Sequence, residues 1–511
     1  MIIKVNKISA KKIVIRYLFI IGLLFNLALI VFGFFSARSI VHSGYPLPIY
    51  AEKVLQNIEV NYPSIDKVLR LPLSIVSSWQ TDVEYNYVID ATNWQGVGAK
   101  TGNTDISDLE LKTVYVSSNK SLLTAIKHAE AGVTIQLLPG VYELNLPRIT
   151  LNSGGTSAAP ISLIAASLGK VKLKIRGEGF VVNKPYWRFK NLHIIGTCIQ
   201  HSRCEHAFHI VGNGHDVILE NNIMQDFNAA IKVNGIGDIF PDNGLVLNNT
   251  IFNTSVRKTA NPVTPIDLMH ADNWRVTSNF IFDFIKGSGN KVSYGAFFKG
   301  GSRRGEFSKN LIICKANLKS NSIAIGLSLG GGGSPESWHR NKKAYEHDKG
   351  SIRNNIIMNC PNDVGIYLNR AKNSQVINNI LFNTVGIDIR FKESDGFIAR
   401  NIISGRIKKR NSAQAELSNN IVLKRSFFTA EEPLGELFVA PANGDFSWKN
   451  KKMVIEKRKN IDSDFSGFCD SSSKYEYLGA FSRDVFCRDK MNLENPNRQR
   501  KGKLLNEKNT L

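Results

Sequence analysis

Between residues 220 and 425 the chain repeats one pattern of polar and apolar positions, in which asparagine precedes a short apolar run. In a parallel β-helix, one asparagine per coil can bond to its equivalent in the next coil while the apolar residues stack inward. The shortest step, from 401 to 420, is near one bare coil, and longer steps carry inserted loops. We therefore predict an all-β fold, a right-handed parallel β-helix, over residues 111–425. The stacked asparagines would be Asn222, Asn249, Asn279, Asn310, Asn355, Asn379, Asn401 and Asn420.

The segments that flank the repeats have patterns of their own. A predicted helix at 122–129 would cover the open apolar end of the core. Residues 38–110 contain several prolines and are expected to form a stalk. Beyond the repeats we expect a C-terminal cap at 426–490 and a basic disordered tail at 491–511.

An apolar stretch from Tyr17 to Phe35 lies near the start of the chain and is long enough to span a bilayer. Basic residues precede it, which predicts a cytoplasmic N-terminus, and no convincing cleavage site follows it. We therefore expect residues 1–37 to be a basic stub and an uncleaved, single-pass transmembrane signal anchor. The rest of the chain would then be exported.

The chain is strongly basic, with 65 lysines and arginines against 43 acidic residues and a formal net charge of +22. Such a balance is typical of proteins with an acidic partner, although scattered solvated lysines are the alternative. Nucleic acid is disfavoured as that partner, because no aromatic stacking platform accompanies the basic residues and the compartment is wrong. An acidic polysaccharide and the membrane are the expected partners.

The six cysteines form three near pairs, which suits an exported protein in an oxidising compartment. One pair is close in sequence, one would stack in neighbouring coils, and one brackets the C-terminal region. No C-x-x-C spacing occurs, so metal binding by thiolates is not expected. The predicted disulfide pairs are Cys198 with Cys204, Cys314 with Cys360, and Cys469 with Cys487.

Alternation along one strand per coil predicts two outward columns of side chains. Neighbouring strands are about 4.8 Å apart, so the columns would line an extended groove that suits a polymer, unless they are simply solvated. The insertion at 337–350 is expected to form a loop over this groove. The first column is His209, Lys232, Asp267, Phe297, Gly326, Tyr367 and Asp388, and the second is Val211, Asn234, Met269, Lys299, Ser328, Asn369 and Arg390.

These columns favour one glycan chemistry over another. A glycoside hydrolase needs two carboxyl groups about 5 to 9.5 Å apart, whereas Asp267 and Asp388 would be four coils, roughly 19 Å, apart; only loop acids could supply a closer partner. A polysaccharide lyase needs a base, cations or amides around a uronate carboxylate, and an acid for the leaving oxygen. The predicted catalytic residues are Lys299, Lys232, Arg390 and His209, and the predicted substrate-binding residues are Asp267, Asn234, Tyr367, Asn369 and Asp388.

Two nearby histidines, His206 and His209, are possible metal ligands. At this spacing their rings are expected to point to different faces of a strand or to be separated by a turn. We therefore predict no metal ligands among the site residues.

Several segments resemble an exported bacterial family with right-handed parallel β-helix repeats. They include CEHAFHIVG at 204–212, NAAIKVNG at 228–235 and SYGAFFKGGS at 293–302. Pectate-lyase-like enzymes, and more distantly the chondroitinase B and alginate lyase type polysaccharide lyases, share that architecture. The resemblance implies a bacterial inner-membrane protein with most of its chain in the periplasm.

In those lyases a strand-end lysine acts as base and an arginine one coil later assists it. Lys299 resembles that lysine, and the following coil has Ser328 where the lyases place the arginine. No set of Asn and Glu ligands for calcium is evident, so no cofactor is expected, with calcium left open. Two functions are therefore retained: a lyase-like β-elimination on an acidic polysaccharide, with a hydrolase or uronate epimerase as less favoured alternatives, and a noncatalytic glycan-binding or envelope scaffold protein.

Overall fold

The computed structural model describes residues 45–80, 97–101, 112–331, 334–441 and 445–449, together with parts of the segment 17–43. From residue 113 the chain winds through three sheets in turn, and each pass around them is one coil. Each strand pairs in parallel with its equivalent in the next coil. The predicted parallel β-helix is confirmed, and its parallel sheets fit the right hand that strand twist favours.

The sheets are numbered 1 to 3 in the order in which a coil visits them. Sheet 1 has 12 strands: Thr113–Val116, Thr134–Leu137, Ile161–Ala165, Trp187–Lys190, Ile218–Glu220, Leu245–Leu247, Arg275–Thr277, Glu306–Ser308, Ser351–Arg353, Ser374–Ile377, Gly396–Ala399 and Glu416–Ser418. Sheet 2 has 11 strands: Gly140–Leu144, Val171–Ile175, His193–Gly196, Ile223–Gln225, Thr250–Phe252, Phe280–Phe282, Leu311–Ile313, Ile356–Cys360, Ile380–Thr384, Ile402–Ser404 and Ile421–Leu423. Sheet 3 has 10 strands: Ile149–Thr150, Phe180–Val182, Phe208–Val211, Ile231–Asn234, Ile266–Met269, Val292–Lys299, Ile323–Leu329, Ile366–Asn369, Gly386–Arg390 and Arg406–Arg410.

Smaller elements extend or flank the β-helix. A three-stranded parallel sheet lies in the inserted loops, at Ser302–Arg303, His347–Asp348 and Ala371–Lys372. An antiparallel pair follows the last coil, at Phe438–Ala440 and Asp445–Trp448. Short 3₁₀ helices occur at His201–Arg203, Glu336–Trp338, Arg340–Lys342 and Pro433–Glu436.

The core is one continuous column of inward-facing side chains from all three sheets. In sheet 3 the strand positions that face inward are fully buried in successive coils, for example Phe208, Ile231 and Ile266. Stacked aromatic rings contribute to the column; the centroids of Phe180 and Phe208 in adjacent coils are 5.5 Å apart.

The predicted asparagine ladder runs along the turn between sheets 1 and 2. Asn222 donates its side-chain amide to Oδ1 of Asn249 at 3.0 Å, and each later asparagine repeats this bond at 2.9–3.1 Å until Asn420. The backbone N–H of each donates to the same oxygen at 2.9–3.0 Å. The preceding residue has a φ of 51–57° in every coil, a conformation that Asn tolerates better than most residues.

The disulfides Cys198–Cys204 and Cys314–Cys360 are both present, as predicted. The first closes a tight loop before a strand of sheet 3, and the second joins neighbouring coils across sheet 2. The predicted pair Cys469 and Cys487 lies outside the described residues.

Three α-helices outside the sheets have both ends within the described residues: α1 at Leu47–Asn61, α2 at Pro63–Ser77 and α3 at Asn119–Lys127. Helix α3 is the expected cap; it begins earlier than predicted because Ser118 and Ser121 form a capping box. Helices α1 and α2 lie within the predicted stalk. No helix in the described part of the chain is long and apolar enough to cross a membrane, and much of the predicted anchor lies outside that part.

Candidate functional site

Sheet 3 brings the predicted columns together on its outer face, with one register change. His209 pairs with Lys232, Lys232 with Asp267, and Asp267 with Phe297, as predicted. Phe297 then pairs with Ser328 rather than Gly326. The strand Ile323–Leu329 therefore lies two residues away from the predicted register, which apolar alternation cannot detect because both registers bury apolar residues. Ser328 therefore lies between Phe297 and Tyr367, not in the column of Lys299, and it is fully buried.

A buried carboxylate lies between two lysines at the centre of this face. Nζ of Lys232 is 2.8 Å from Oδ2 of Asp267, and Nζ of Lys299 is 3.8 Å from the same oxygen. The Asp267 side chain is only 4% exposed, whereas the two lysine side chains are 18% and 16% exposed. Oδ1 of Asp267 is buried without a hydrogen-bond partner. One carboxylate thus faces two ammonium groups, and the cluster carries net positive charge towards solvent.

Burial and charge act against each other in this cluster. Burial acts to raise the pKa of Asp267, but the charges of Lys232 and Lys299 outweigh it and the pKa is lowered. Burial lowers the pKa of Lys232; attraction to Asp267 opposes this and repulsion from Lys299 adds to it, so the net direction is down. The carboxylate is therefore held ionised, and Lys232 releases its proton more readily than a solvated lysine.

Next to this cluster, two histidines and a glutamate lie at the start of the same face. Nδ1 of His209 contacts Oε1 of Glu178, and its Nε2 is 2.8 Å from Oδ1 of Asn234. Nδ1 of His206 is 2.8 Å from the carbonyl oxygen of Ala229. The two rings are 4.9 Å apart between centroids, so they share one side of the sheet, contrary to the expectation from their spacing. His206 lies before the strand Phe208–Val211 rather than within it, and strand alternation does not apply to it.

Burial lowers the pKa of His206 to about 4, despite its hydrogen bond to Ala229. The nearby charges of His209 and Lys232 act in the same direction as burial. The imidazole of His206 is therefore neutral at physiological pH.

The long insertion packs beside the strand end that carries Lys299. The N–H of Arg340 donates to the carbonyl of Gly300 at 2.8 Å, and its guanidinium pairs with both oxygens of Asp242 at 2.6 and 3.0 Å. Oε2 of Glu346 accepts the N–H of Gly300 at 2.8 Å. These hydrogen bonds hold the insertion against one side of the site.

The far end of the predicted columns differs in its surroundings. Tyr367, Asn369 and Asp388 are all less than a tenth exposed, and Arg410 forms an ion pair with Asp388. The guanidinium of Arg390 lies over the ring of Phe391 at 4.5 Å. By strand register Arg390 is three coils from Lys299, about 14 Å along the sheet. These four predicted residues are thus not part of the Lys299 cluster.

Sequence reasoning missed Glu178 as a neighbour of the site, and it placed Arg340 only within the insertion at 337–350 that was expected to lie over the groove. Glu178 precedes the strand Phe180–Val182, and Arg340 belongs to an insertion, so neither follows the alternation used to find outward residues. Their charge was visible in the sequence, but their position depends on how the turns fold.

No protein-family model matches this chain, and a search of curated proteins also finds no match. Among solved structures, the chain is similar to a rhamnogalacturonan lyase, with a TM-score of 0.46 and 14% identity over 68% of this chain and 93% of that one. It is also similar to a pectate lyase, with a TM-score of 0.43 and 16% identity over 77% of this chain and 100% of that one. It is also similar to an alginate lyase from a Paenibacillus species, with a TM-score of 0.38 and 12% identity over 61% of this chain and 95% of that one. At such identities and scores, none of these similarities bears on the residues of the site.

Proposed function

We propose that this protein is an exported, membrane-anchored β-helix protein that cleaves an acidic polysaccharide by β-elimination on the outer face of sheet 3. The observation that carries the proposal is the buried Asp267 shared by Lys232 and Lys299. Two partly exposed ammonium groups against one ionised carboxylate leave a positive charge to attract a uronate. The net charge of +22 would favour encounter with a polyanion.

The chemistry requires a proton to leave the carbon beside the uronate carboxylate and the glycosidic oxygen to depart from the next carbon. Lys232, held in place by Asp267, neutralises the carboxylate and so makes that proton more acidic. Lys299, the lysine farther from Asp267, removes that proton with its amine nitrogen after its own ammonium proton has passed to solvent. The carbon–oxygen bond then breaks, a carbon–carbon double bond forms, and the proton passes from Lys299 to the leaving oxygen on the same face.

The test follows the ultraviolet absorbance of the unsaturated uronate product. The full-length protein, purified in detergent, is incubated with a panel of uronate-containing polymers beside the Lys299→Ala variant. We expect absorbance to rise for the wild type and not for the variant, because the variant lacks the base. Lys232→Ala should bind the same polymer more weakly, since it lacks the group that faces the carboxylate.

A matched control is Lys190→Ala. Lys190 also pairs with a carboxylate of the next coil, Glu220 at 2.9 Å, but it lies on sheet 1. It should retain full activity. A wild-type protein that binds a polymer without any rise in absorbance would refute the elimination and favour the noncatalytic glycan-binding protein. Activity that survives in Lys299→Ala would refute the role of Lys299.

A further inference from the structure

The cluster of Glu178, His206 and His209 offers three metal-ligating side chains at one place. One donor atom from each residue lies within 4.8 Å of the donor atoms of the other two. None of the three is fully buried; the side chains are 13–24% exposed, so a bound ion would keep contact with solvent. Two imidazoles and one carboxylate form a donor set typical of zinc and other first-row transition metals, whereas calcium prefers oxygen donors alone.

Neighbouring oxygens hold both rings in the orientation that a metal requires. Nδ1 of His206 faces the carbonyl of Ala229, so this nitrogen carries the proton and Nε2 is the nitrogen that can bind a metal. Nε2 of His209 faces Oδ1 of Asn234. Nδ1 is therefore the nitrogen of His209 that can bind a metal, and it already contacts Glu178. Metal-binding histidines almost always donate their second N–H to such an acceptor, which fixes the tautomer and the ring.

The backbone beneath the three residues is held from several sides. The disulfide Cys198–Cys204 ends two residues before His206, and the N–H of Gly179 donates to the carbonyl of His206 at 2.9 Å. The strand that carries His209 pairs with strands on both sides. A site on such rigid elements loses little conformational entropy when it binds an ion.

We propose that Glu178, His206 and His209 bind one divalent first-row transition metal ion, with Zn²⁺ as the best fit. The ion replaces the proton between His209 and Glu178, and its remaining coordination positions are open to water or to an oxygen of a ligand. Under this proposal His209, which the sequence predicts as a catalytic residue, is a metal ligand. The inference does not depend on the proposed elimination.

The experiment titrates Zn²⁺ into full-length protein that was first treated with a chelator, with the heat of binding as the readout. We expect one Zn²⁺ per chain. His206→Ala, His209→Ala and Glu178→Gln should each abolish this binding, because each removes one of three ligands. Asn234→Ala should weaken it by about 10- to 100-fold, as is usual when the acceptor behind a metal-bound histidine is lost.

Substitution by Co²⁺ gives a second, spectroscopic readout. A d–d absorption band in the wild type that disappears in His206→Ala and in His209→Ala would assign the imidazoles as ligands. Thermal unfolding of the metal-free variants identifies any that fail to fold; Glu178→Gln, which preserves shape, and Asn234→Ala keep the test decisive in that case.

The matched control is His215→Ala. His215 also contacts a carboxylate, Asp216 at 2.6 Å, but this pair is not part of the three-residue cluster. It should bind Zn²⁺ like the wild type. The proposal is overturned if the wild type binds no Zn²⁺, or if the three ligand variants bind it as tightly as His215→Ala does.

Discussion

At the scale of single residues, His347 makes folding sensitive to pH. Its side chain is fully buried against Phe298, with ring centroids 5.0 Å apart. Nδ1 is 2.8 Å from Oγ of Ser302, and the N–H of Gly305 donates to Nε2 at 3.2 Å. This environment accepts only the neutral imidazole, and burial lowers the pKa of His347 to about 3.

We therefore expect stability to fall on acidification through this residue. The unfolded chain takes up a proton on His347 below about pH 6.5, whereas the folded chain does so only near pH 3. His347 makes its full contribution to stability above the pKa of the unfolded chain. Between that pKa and the folded value of about 3, the free energy of unfolding falls by about 1.4 kcal/mol for each pH unit of acidification. Urea unfolding at several pH values measures it, and His347→Gln should reduce the slope by that amount.

The control for this measurement is the exposed His128, which lies at the end of α3. His128→Gln should leave the pH dependence of unfolding unchanged. An identical slope in the wild type and in His347→Gln would contradict the assignment.

At the scale of elements, the asparagine ladder joins successive coils through a single turn position. Asn310 accepts the backbone and side-chain N–H groups of Asn279, and it donates to Asn355 and to the carbonyl of Val276. All of these groups are buried. A substitution here leaves several polar groups without partners and without access to water.

We expect Asn310→Ala to lower the free energy of unfolding by about 3 kcal/mol. Asn420 ends the described ladder and is half-buried. Asn420→Ala should lower the free energy of unfolding by less than Asn310→Ala does, because solvent can replace the lost hydrogen bonds. Chemical denaturation of both variants measures the difference. Equal losses of unfolding free energy in the two variants would show that burial of the asparagine does not determine its contribution to stability.

At the scale of the whole molecule, helix α1 lies against the outer surface of sheet 3, where it meets the start of the strand Val292–Lys299 and the strands that follow it. Ile49 is fully buried and packs in a small core with Ile325, Val364 and Tyr367. Nζ of Lys53 is 2.5 Å from Oδ2 of Asp363 and fixes the helix to the same coil. Lys299 and the two histidines are not part of this small core.

We expect Ile49→Ala to loosen α1 without unfolding the β-helix. The loss of a buried isoleucine costs at least about 2 kcal/mol, so hydrogen exchange in the amides of α1 should accelerate by at least about thirtyfold. Val68→Ala on α2 is the control, since Val68 is 73% exposed. Unchanged exchange in α1 would mean that the polar contacts of Lys53, Gln56 and Glu59 hold the helix without Ile49.

Much of the fold was predictable because it depends on repetition along the chain. The asparagine ladder and the inward apolar residues recur at matching positions, so each coil predicts its neighbour. Two cysteines that each follow the asparagine and apolar run in neighbouring coils predicted Cys314–Cys360 in the same way. The pairing of Lys232 with Asp267 followed from strand register.

The sequence by itself thus determined the β-helix, its ladder, two disulfides and the face that carries the lysines, because these follow from local periodicity. Only the tertiary structure decided the register at Ser328, the cover that α1 places on sheet 3, and the meeting of Glu178 with His206 and His209. Those features depend on turns, insertions and a flanking helix. Their conformations are set by packing against distant parts of the chain, which no repeat in the sequence encodes.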